Sequence, residues 1–139
     1  QGLDPSRVIW LPRAQTHEEH LQQYCHIDIA LDSFPNGGCT TTCEALWMGV
    51  PVITLSGSTY VSRMSTAVLS GAGLDDWCVS TPTDYVSHAV HWASQLASLR
   101  SSRPQWRQQI LNSKLGNASD LMHHLVDLFR LKLPACTSY

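Results

Sequence analysis

The sequence predicts an α/β fold in which helices cover a parallel β-sheet. Three observations support the prediction: short apolar runs recur along the chain, amphipathic segments with helical spacing separate them, and the loops between the two are short. Strands that alternate with helices pair in parallel, because each helix carries the chain back across the sheet. The 139 residues are therefore interpreted as part of a Rossmann-like domain with fewer strands than a complete one.

Four short runs are predicted strands, because they are rich in apolar and β-branched residues and lie next to turn-forming residues. In chain order they cover residues 7–11, 27–31, 51–55 and 77–79. We expect 27–31 to lie beside 52–55 in the sheet, with residues 37–42 at its carboxyl edge. Ligands of open α/β sheets bind at that edge.

Capping residues and apolar spacing predict six helices, over residues 16–24, 41–48, 60–70, 82–97, a segment after Pro104 and a last segment from Ser119. Thr16 and Glu19 have the spacing of a capping box. The fourth helix is expected to bury one stripe, formed by Val86, Val90, Ala93 and Ala97. The last helix has an apolar side, formed by Leu121, Leu125, Leu128 and Phe129. Residues 1–133 are assigned to one partial domain, and 134–139 are predicted to be a disordered tail.

Composition argues against several classes of protein. The nine Lys and Arg residues and the eleven Asp and Glu residues are scattered, so we expect no nucleic-acid partner. No apolar run approaches the roughly 18 residues of a membrane helix, so we expect no membrane association. The five cysteines have no paired spacing, which favours the reducing cytoplasm over a disulfide framework.

Charged residues are unusually sparse, at 14% of the chain against roughly 25% in an ordinary soluble domain. So little charge leaves too few groups to cover the surface of a small domain. We therefore expect an exposed apolar face that is covered by a missing part of the same protein or by a second copy in a homo-oligomer.

The strongest candidate site precedes the second predicted helix. Gly37 and Gly38 lie shortly before the threonines at 40–42, between a predicted strand and that helix. Glycines let the backbone approach an anion, and a helix N-terminus offers unpaired N–H groups with about half a positive charge. This combination predicts a phosphate site, and Glu44 one turn later could bind ribose hydroxyls. The simpler alternative is an ordinary helix start in which Thr41 and Glu44 form a capping box.

This region also resembles a known family. Asn36 through the threonine run, followed by Glu44-Ala45-Leu46-Trp47-Met48-Gly49-Val50-Pro51-Val52, looks like the nucleotide-sugar-binding, C-terminal half of a GT-B glycosyltransferase. The longer stretch from Asp28 through Ser62-Arg63, together with Glu18-Glu19-His20, is similar to the O-linked N-acetylglucosamine transferase family, including its SPINDLY-like and bacterial members. The resemblance covers about residues 2–80.

The resemblance implies a set of donor-binding residues, consisting of His20, Gly38, Cys39, Thr40, Thr41, Thr42, Glu44 and Arg63. Thr40 and Thr41 would contact the diphosphate, Glu44 would hold the ribose, and His20 would lie against the base. Arg63 is either an anion contact or part of a structural ion pair. Animal members have Asp in place of Glu44 and His in place of Cys39. A lysine expected shortly before His20 is absent, and His17 stands nearby instead.

A reaction is implied as well. A serine or threonine hydroxyl of a protein acceptor would attack the anomeric carbon of a UDP- or GDP-sugar with inversion, without a cofactor or metal. The acceptor-binding half and tetratricopeptide repeats lie upstream in this family. The chain is therefore expected to be a C-terminal fragment that is inactive alone, and no catalytic base is assigned to it. The alternative is a non-catalytic Rossmann-like module for interaction or regulation.

Other polar residues have simpler explanations. His17, His20, His26 and Cys25 lack the spacing of a zinc site, so no metal site is predicted. Asp32 follows a predicted strand directly and is expected to hold the loop after it.

Overall fold

The computed structural model describes residues 2 and 4–132, so the predicted tail at 134–139 lies outside the described residues. The strands are β1 (Ala30–Leu31), β2 (Val52–Leu55) and β3 (Cys78–Val79). The helices are α1 (His17–Gln23), α2 (Thr40–Trp47), α3 (Met64–Gly71), α4 (Pro82–Ala93), α5 (Leu96–Asn112) and α6 (Ala118–Lys132). Short 3₁₀ turns cover Pro5–Arg7, Tyr24–His26, Val61–Arg63 and Asp75–Trp77.

The described strands form one parallel sheet in the order β1-β2-β3. Ala30 pairs with Val52 on one side of the central strand, and Thr54 pairs with Cys78 on the other. The predicted α/β class and the predicted neighbours are therefore confirmed, although the first of these strands is regular only over its last two residues. The loop from β1 to α2 leaves the sheet at its carboxyl edge.

The core surrounds the central strand. Ile53 is completely buried, and Leu46 of α2 and Leu69 of α3 are equally inaccessible. Burying a large aliphatic side chain contributes about 1.5–3 kcal/mol, so these residues fix α2 and α3 against the sheet. The start of α2 is consequently held at the sheet's carboxyl edge by the packing of its later turns.

The predicted strand at residues 7–11 is wrong. The chain there forms the turn Pro5–Arg7 and then an extended segment, in which Ile9 is 82% and Trp10 is 88% exposed. A strand needs a hydrogen-bonded neighbour, and within the described residues β1 pairs only with β2. Residues 7–11 have the apolar pattern of a strand, but they pair with no strand in the described part of the chain.

The predicted buried stripe of α4 is also wrong. Val86 and Val90 are 61% and 66% exposed, and Ala93 and Ala97 are exposed as well. Tyr85, Ala89 and Trp92 pack on the core instead. Both stripes have helical spacing, and the helix turns its aromatic side inward because Trp92 stacks on Trp77 with ring centroids 4.7 Å apart.

Pro104 does not begin a new helix, because α5 continues through it from Leu96 to Asn112. A proline inside a helix costs about 3 kcal/mol. Contacts on both sides of it compensate: Leu99 is buried, and Trp106 and Ile110 pack against the core. The guanidinium of Arg103 also donates to the carbonyl of Ile27, which anchors this turn of α5 next to β1.

The expected exposed apolar face is present on α6. The helix has no buried residue, and the side chains that were predicted to form its apolar side all remain accessible. No helix in the described part of the chain is long and apolar enough to cross a membrane.

Candidate functional site

Helix α2 begins with a group of unpaired backbone donors. Its N-cap is Cys39, whose side chain makes no capping bond, and the first helical bond runs from the N–H of Cys43 to the carbonyl of Cys39 at 3.0 Å. Among the described residues, nothing accepts from the N–H groups of Cys39, Thr40, Thr41 or Thr42. These four donors and the positive end of the helix dipole can therefore bind an anion.

The two glycines before the helix do not supply further donors. The N–H of Gly37 donates to the carbonyl of Val61 at 3.1 Å, and that of Gly38 donates to Oδ1 of Asp32 at 2.9 Å. The carbonyl of Gly38 accepts from the Ser65 hydroxyl at 2.8 Å. The N–H groups of both glycines are therefore satisfied within the protein, and Gly38 supports the loop before α2.

Close packing explains why Gly38 has no side chain. A Cβ atom there would lie 2.6 Å from Oγ1 of Thr41 and 2.7 Å from Oγ1 of Thr42. At Gly37 the nearest atom, Oδ2 of Asp32, would be 3.1 Å away. Neither glycine has a positive φ, so the close fit of the loop is what favours glycine here, and it does so more strongly at Gly38 than at Gly37.

The three threonines have different environments. Thr40 and Thr41 are exposed, so their hydroxyls can contact a ligand. Thr42 is buried, and its hydroxyl lies 3.0 Å from the hydroxyl of Ser65. The side chain of Thr42 therefore holds α2 against α3, and only its backbone N–H faces the helix end.

Asp32 holds the loop, as the sequence predicts. Its Oδ1 accepts from Gly38, and its Oδ2 accepts from the hydroxyl of Thr54 at 2.7 Å. Its backbone carbonyl accepts from the hydroxyl of Tyr85 on α4 at 2.8 Å. One residue thereby joins the end of β1, the central strand, the glycine loop and α4.

Glu44 lies one turn into α2 between two imidazoles of α1. Its Oε2 is 3.1 Å from Nε2 of His20, and its Oε1 is 3.8 Å from Nδ1 of His17. The ring of His20 packs edge-on against Tyr24, with ring centroids 5.6 Å apart. Burial, and then the charge of Glu44, raise the pKa of Tyr24. The structure therefore brings the predicted residues His20 and Glu44 together.

The capping-box alternative for Thr41 and Glu44 is wrong. Cys39 is the N-cap, so Thr41 is the second residue of the helix and Glu44 the fifth. The carboxylate of Glu44 is directed to the histidines of α1 and not back to the start of its own helix. By contrast, Thr16 does cap α1, because its hydroxyl accepts from the N–H of Glu19 at 3.1 Å.

Seven of the eight predicted site residues, all except His20, line three cavities around the start of α2. Thr40 and Glu44 share one of about 520 Å³ with His17 and Cys43. Thr41, Thr42 and Gly38 line a second, of about 260 Å³, next to Asp32. Cys39 and Arg63 line a third, of about 500 Å³, along α3.

The positions of Arg63, of the metal-binding side chains and of His17 also bear on the predictions. Arg63 is exposed and makes no ion pair within the described residues, so the structural ion pair considered for it is absent there. No group of three metal-binding side chains occurs in the described part of the chain. His17 was not among the predicted contacts, although its position one turn before His20 places both rings on the same side of α1.

Comparisons with known proteins identify the family of the chain. The family described as Glycosyl transferase family 41 matches residues 1–125. A protein of Solanum lycopersicum named "probable UDP-N-acetylglucosamine–peptide N-acetylglucosaminyltransferase SPINDLY" is 35% identical over 129 residues, or 93% of this chain. A UDP-N-acetylglucosamine–peptide N-acetylglucosaminyltransferase of Caenorhabditis elegans is 30% identical over 128 residues, or 92% of this chain.

A solved structure is also similar. It is a mutant O-GlcNAc transferase of Thermobaculum terrenum, which matches with a TM-score of 0.68 and 33% identity over 86% of this chain and 23% of its own. The chain spans only 14% of the tomato relative and 11% of the nematode relative. What it shares with these proteins is therefore one part of a much longer polypeptide.

Proposed function

The chain belongs to glycosyl transferase family 41, and we propose that it forms the donor-binding part of a protein O-glycosyltransferase. In the full-length protein, a sugar passes from a nucleotide sugar to a serine or threonine hydroxyl of a protein acceptor. The donor carries UDP or GDP, and the sugar is N-acetylglucosamine or another hexose. The acceptor site and the remaining strands come from other parts of the full-length protein.

The observation that carries the proposal is the arrangement of Glu44 relative to the start of α2. Four unpaired N–H groups lie at the helix end, and the carboxylate lies one turn away in the cavity that Thr40 also lines. A nucleoside diphosphate carries the two complementary features: a diphosphate anion that accepts from N–H groups, and a nearby pair of ribose hydroxyls that donate to a carboxylate. The contact with His20 uses one side of the carboxylate, and a carboxylate has about four lone-pair sites, so Glu44 can still accept from ribose hydroxyls.

In the proposed reaction, negative charge develops on the leaving nucleoside diphosphate, next to the N–H groups at the start of α2. As the acceptor oxygen forms its bond to the anomeric carbon, the bond from that carbon to the diphosphate oxygen breaks on the opposite face. The acceptor hydroxyl gives its proton to a base, to which no residue of this chain is assigned. The leaving nucleoside diphosphate gains negative charge next to the N–H groups and the hydroxyls of Thr40 and Thr41. Donors preorganised for such a charge each contribute about 2.7–4 kcal/mol in comparable oxyanion sites. Arg63, in the cavity next to Cys39, is a further candidate contact to this anion.

No metal or cofactor is part of the proposal, because helix donors supply the charge stabilisation. We place the reaction in the cytoplasm, where thiols stay reduced, and the four cysteines that the structure describes, Cys25, Cys39, Cys43 and Cys78, are free.

Transfer of labelled sugar by the full-length protein tests the proposal. UDP-N-acetylglucosamine and GDP-hexoses, each labelled in the sugar, are incubated with the protein and a mixture of protein acceptors. We expect label on serine or threonine side chains, and we expect Thr40→Val to reduce it while Thr83→Val, an exposed threonine on α4, leaves it unchanged. Absence of both donor binding and transfer would instead support the non-catalytic module.

A further inference from the structure

Tyr60 is an exposed aromatic residue on a well-supported turn next to the candidate donor site. It lies between β2 and α3, and 76% of it is accessible. Ser62, which is buried, holds the turn on both sides of Tyr60: its hydroxyl accepts from the N–H of Thr59 at 3.1 Å, and its carbonyl accepts from the N–H of Gly57 at 3.2 Å. The backbone at Tyr60 is therefore fixed by its neighbours, while the ring is free to contact a ligand.

The same turn is joined to the loop before α2. The carbonyl of Val61 accepts from the N–H of Gly37 at 3.1 Å, so the residue after Tyr60 contacts the glycine loop directly. Tyr60 and Arg63 line the cavity of about 500 Å³ together with Cys39. Because Cys39 carries the first of the free N–H groups at the start of α2, the ring of Tyr60 and the proposed anion site border one space.

The order of the parts in a nucleotide sugar determines on which side of this helix end the sugar lies. The ribose is proposed at Glu44, in the cavity that Thr40 also lines, and the diphosphate is proposed at the free N–H groups. The sugar is bonded to the phosphate that is farther from the ribose. It therefore extends away from Glu44 and beyond the start of α2.

Two other cavities border the start of α2. The smaller, of about 260 Å³, is lined by both residues of β1, Ala30 and Leu31. In the described part of the chain, β1 pairs on one side only, so its other edge is open to a further strand of the sheet. The larger cavity, of about 500 Å³, contains Tyr60 and is the better place for the sugar.

We infer that this larger cavity holds the sugar of the donor and that the sugar ring stacks on Tyr60. The inference rests on the proposed function, since it concerns the same donor, and it adds a sugar contact that the resemblance did not assign. A pyranose ring has an apolar face of C–H groups, and the negative face of an aromatic ring attracts such groups. The rest of the lining is mainly apolar and includes Met64, Ala67, Val68 and Leu115.

Arg63 fits the same arrangement. It lies on the same turn, where its N–H donates to the carbonyl of Tyr60 at 3.1 Å. One turn thus brings a cation and an aromatic ring to one cavity. The cation suits the phosphate that carries the sugar, and the ring suits the sugar itself. Tyr60 therefore contributes to binding of the sugar and not to binding of the nucleoside diphosphate.

The test is calorimetric titration of the full-length protein, without acceptor, with UDP, UDP-N-acetylglucosamine, GDP and GDP-mannose. We expect Tyr60→Ala to weaken binding of the nucleotide sugar about three- to tenfold. Its affinity for the matching nucleoside diphosphate should stay within about twofold of wild type. The unaffected diphosphate binding also shows that the variant is folded.

Two further variants separate stacking from other effects. Tyr60→Phe keeps the ring and should bind the nucleotide sugar like wild type. Val90→Ala removes part of an exposed apolar side chain on α4, outside the three cavities, and should change none of the four affinities.

The outcomes distinguish the inference from the proposed function. If Tyr60→Ala binds the nucleotide sugar as tightly as wild type, or loses the nucleoside diphosphate to the same extent, the inference is overturned and the proposed donor site stands. Weak binding of the nucleotide sugar by Tyr60→Phe would also overturn it, since the hydroxyl and not the ring would then be the contact. If the wild-type protein binds neither nucleotide sugar, the proposed function and the inference both fail.

Discussion

Asp32 and Gly38 are joined by a hydrogen bond of 2.9 Å between a carboxylate oxygen and a backbone N–H. This bond fixes the loop between β1 and α2 and determines which donors remain for a ligand. Because Gly38 donates to Asp32, the anion site is formed by the N–H groups after it, from Cys39 onward. The predictions below concern the loop, its support and the helix it precedes.

Replacing Gly38 by alanine should damage the site more than replacing Gly37. A Cβ at Gly38 would lie 2.6 Å from a threonine hydroxyl of α2, and the nearest atom to a Cβ at Gly37 would be 3.1 Å away. We expect Gly38→Ala to cost about 1–3 kcal/mol of folding free energy, as overpacking does, and to weaken donor binding. Chemical denaturation and nucleotide titration measure both effects, and equal behaviour of the two variants would contradict this account of the loop.

Ser65 should stabilise the loop through its hydroxyl. Ser65→Ala leaves the Gly38 carbonyl and the buried Thr42 hydroxyl without this partner, which costs about 1–3 kcal/mol. Ser87→Ala on α4 is the control, because Ser87 is exposed and its substitution should have an effect within about 0.5 kcal/mol. Denaturant unfolding compares the two, and a Ser65→Ala variant as stable as the control would count against the support role.

Asp28 should stabilise the fold in a pH-dependent way. Its hydrogen bonds from Arg100, at 2.8 and 2.7 Å, lower its pKa. A lowered carboxyl pKa gives stability that is present above the unfolded value of about 3.9 and is lost as pH falls through the folded value. We expect Asp28→Asn to be less stable than wild type near neutral pH and equal to it in acid. A difference that persists below about pH 2 would show that the cause is not this ion pair.

Cys78 should not react with an alkylating reagent under conditions in which exposed cysteines do react. Burial is the first cause that raises the pKa of its thiol, to about 11, and only the thiolate is nucleophilic. Treatment of the native protein with iodoacetamide near pH 8, followed by peptide mass spectrometry, should modify exposed Cys25 and leave Cys78 unmodified. Equal labelling of the two under native conditions would show that Cys78 is accessible.

Local signals in the sequence predicted much of this structure. The hydroxyl of Thr16 caps α1 as predicted, and α2 begins within one residue of its predicted start. Both features could be predicted because they depend only on residues that are close in the sequence. The pairing of residues 27–31 with 52–55 follows from the alternation of strands and helices. The roles of Thr40 and Glu44 depended on the family resemblance, and they remain predictions.

Long-range packing decided the features that the sequence did not predict. The segment at residues 7–11 has the pattern of a strand but no neighbour within the described chain. The inward side of α4 was decided by the stacking of Trp92 on Trp77, and α5 continues through Pro104 because residues on both sides of it pack on the core. The contact of His17 with Glu44 joins two helices, so no local pattern indicated it.

Donor affinity of Glu44→Gln in the full-length protein tests the central claim most directly. The change keeps the shape of the side chain and removes hydrogen bonds of a charged group, which are worth about 1.5–3 kcal/mol. We expect nucleotide-sugar affinity to fall about ten- to a hundredfold, with Thr40→Val also binding more weakly. Glu18→Gln, an exposed glutamate of α1, should bind like wild type. Unchanged affinity in both Glu44→Gln and Thr40→Val would contradict the assignment of the donor site to the start of α2.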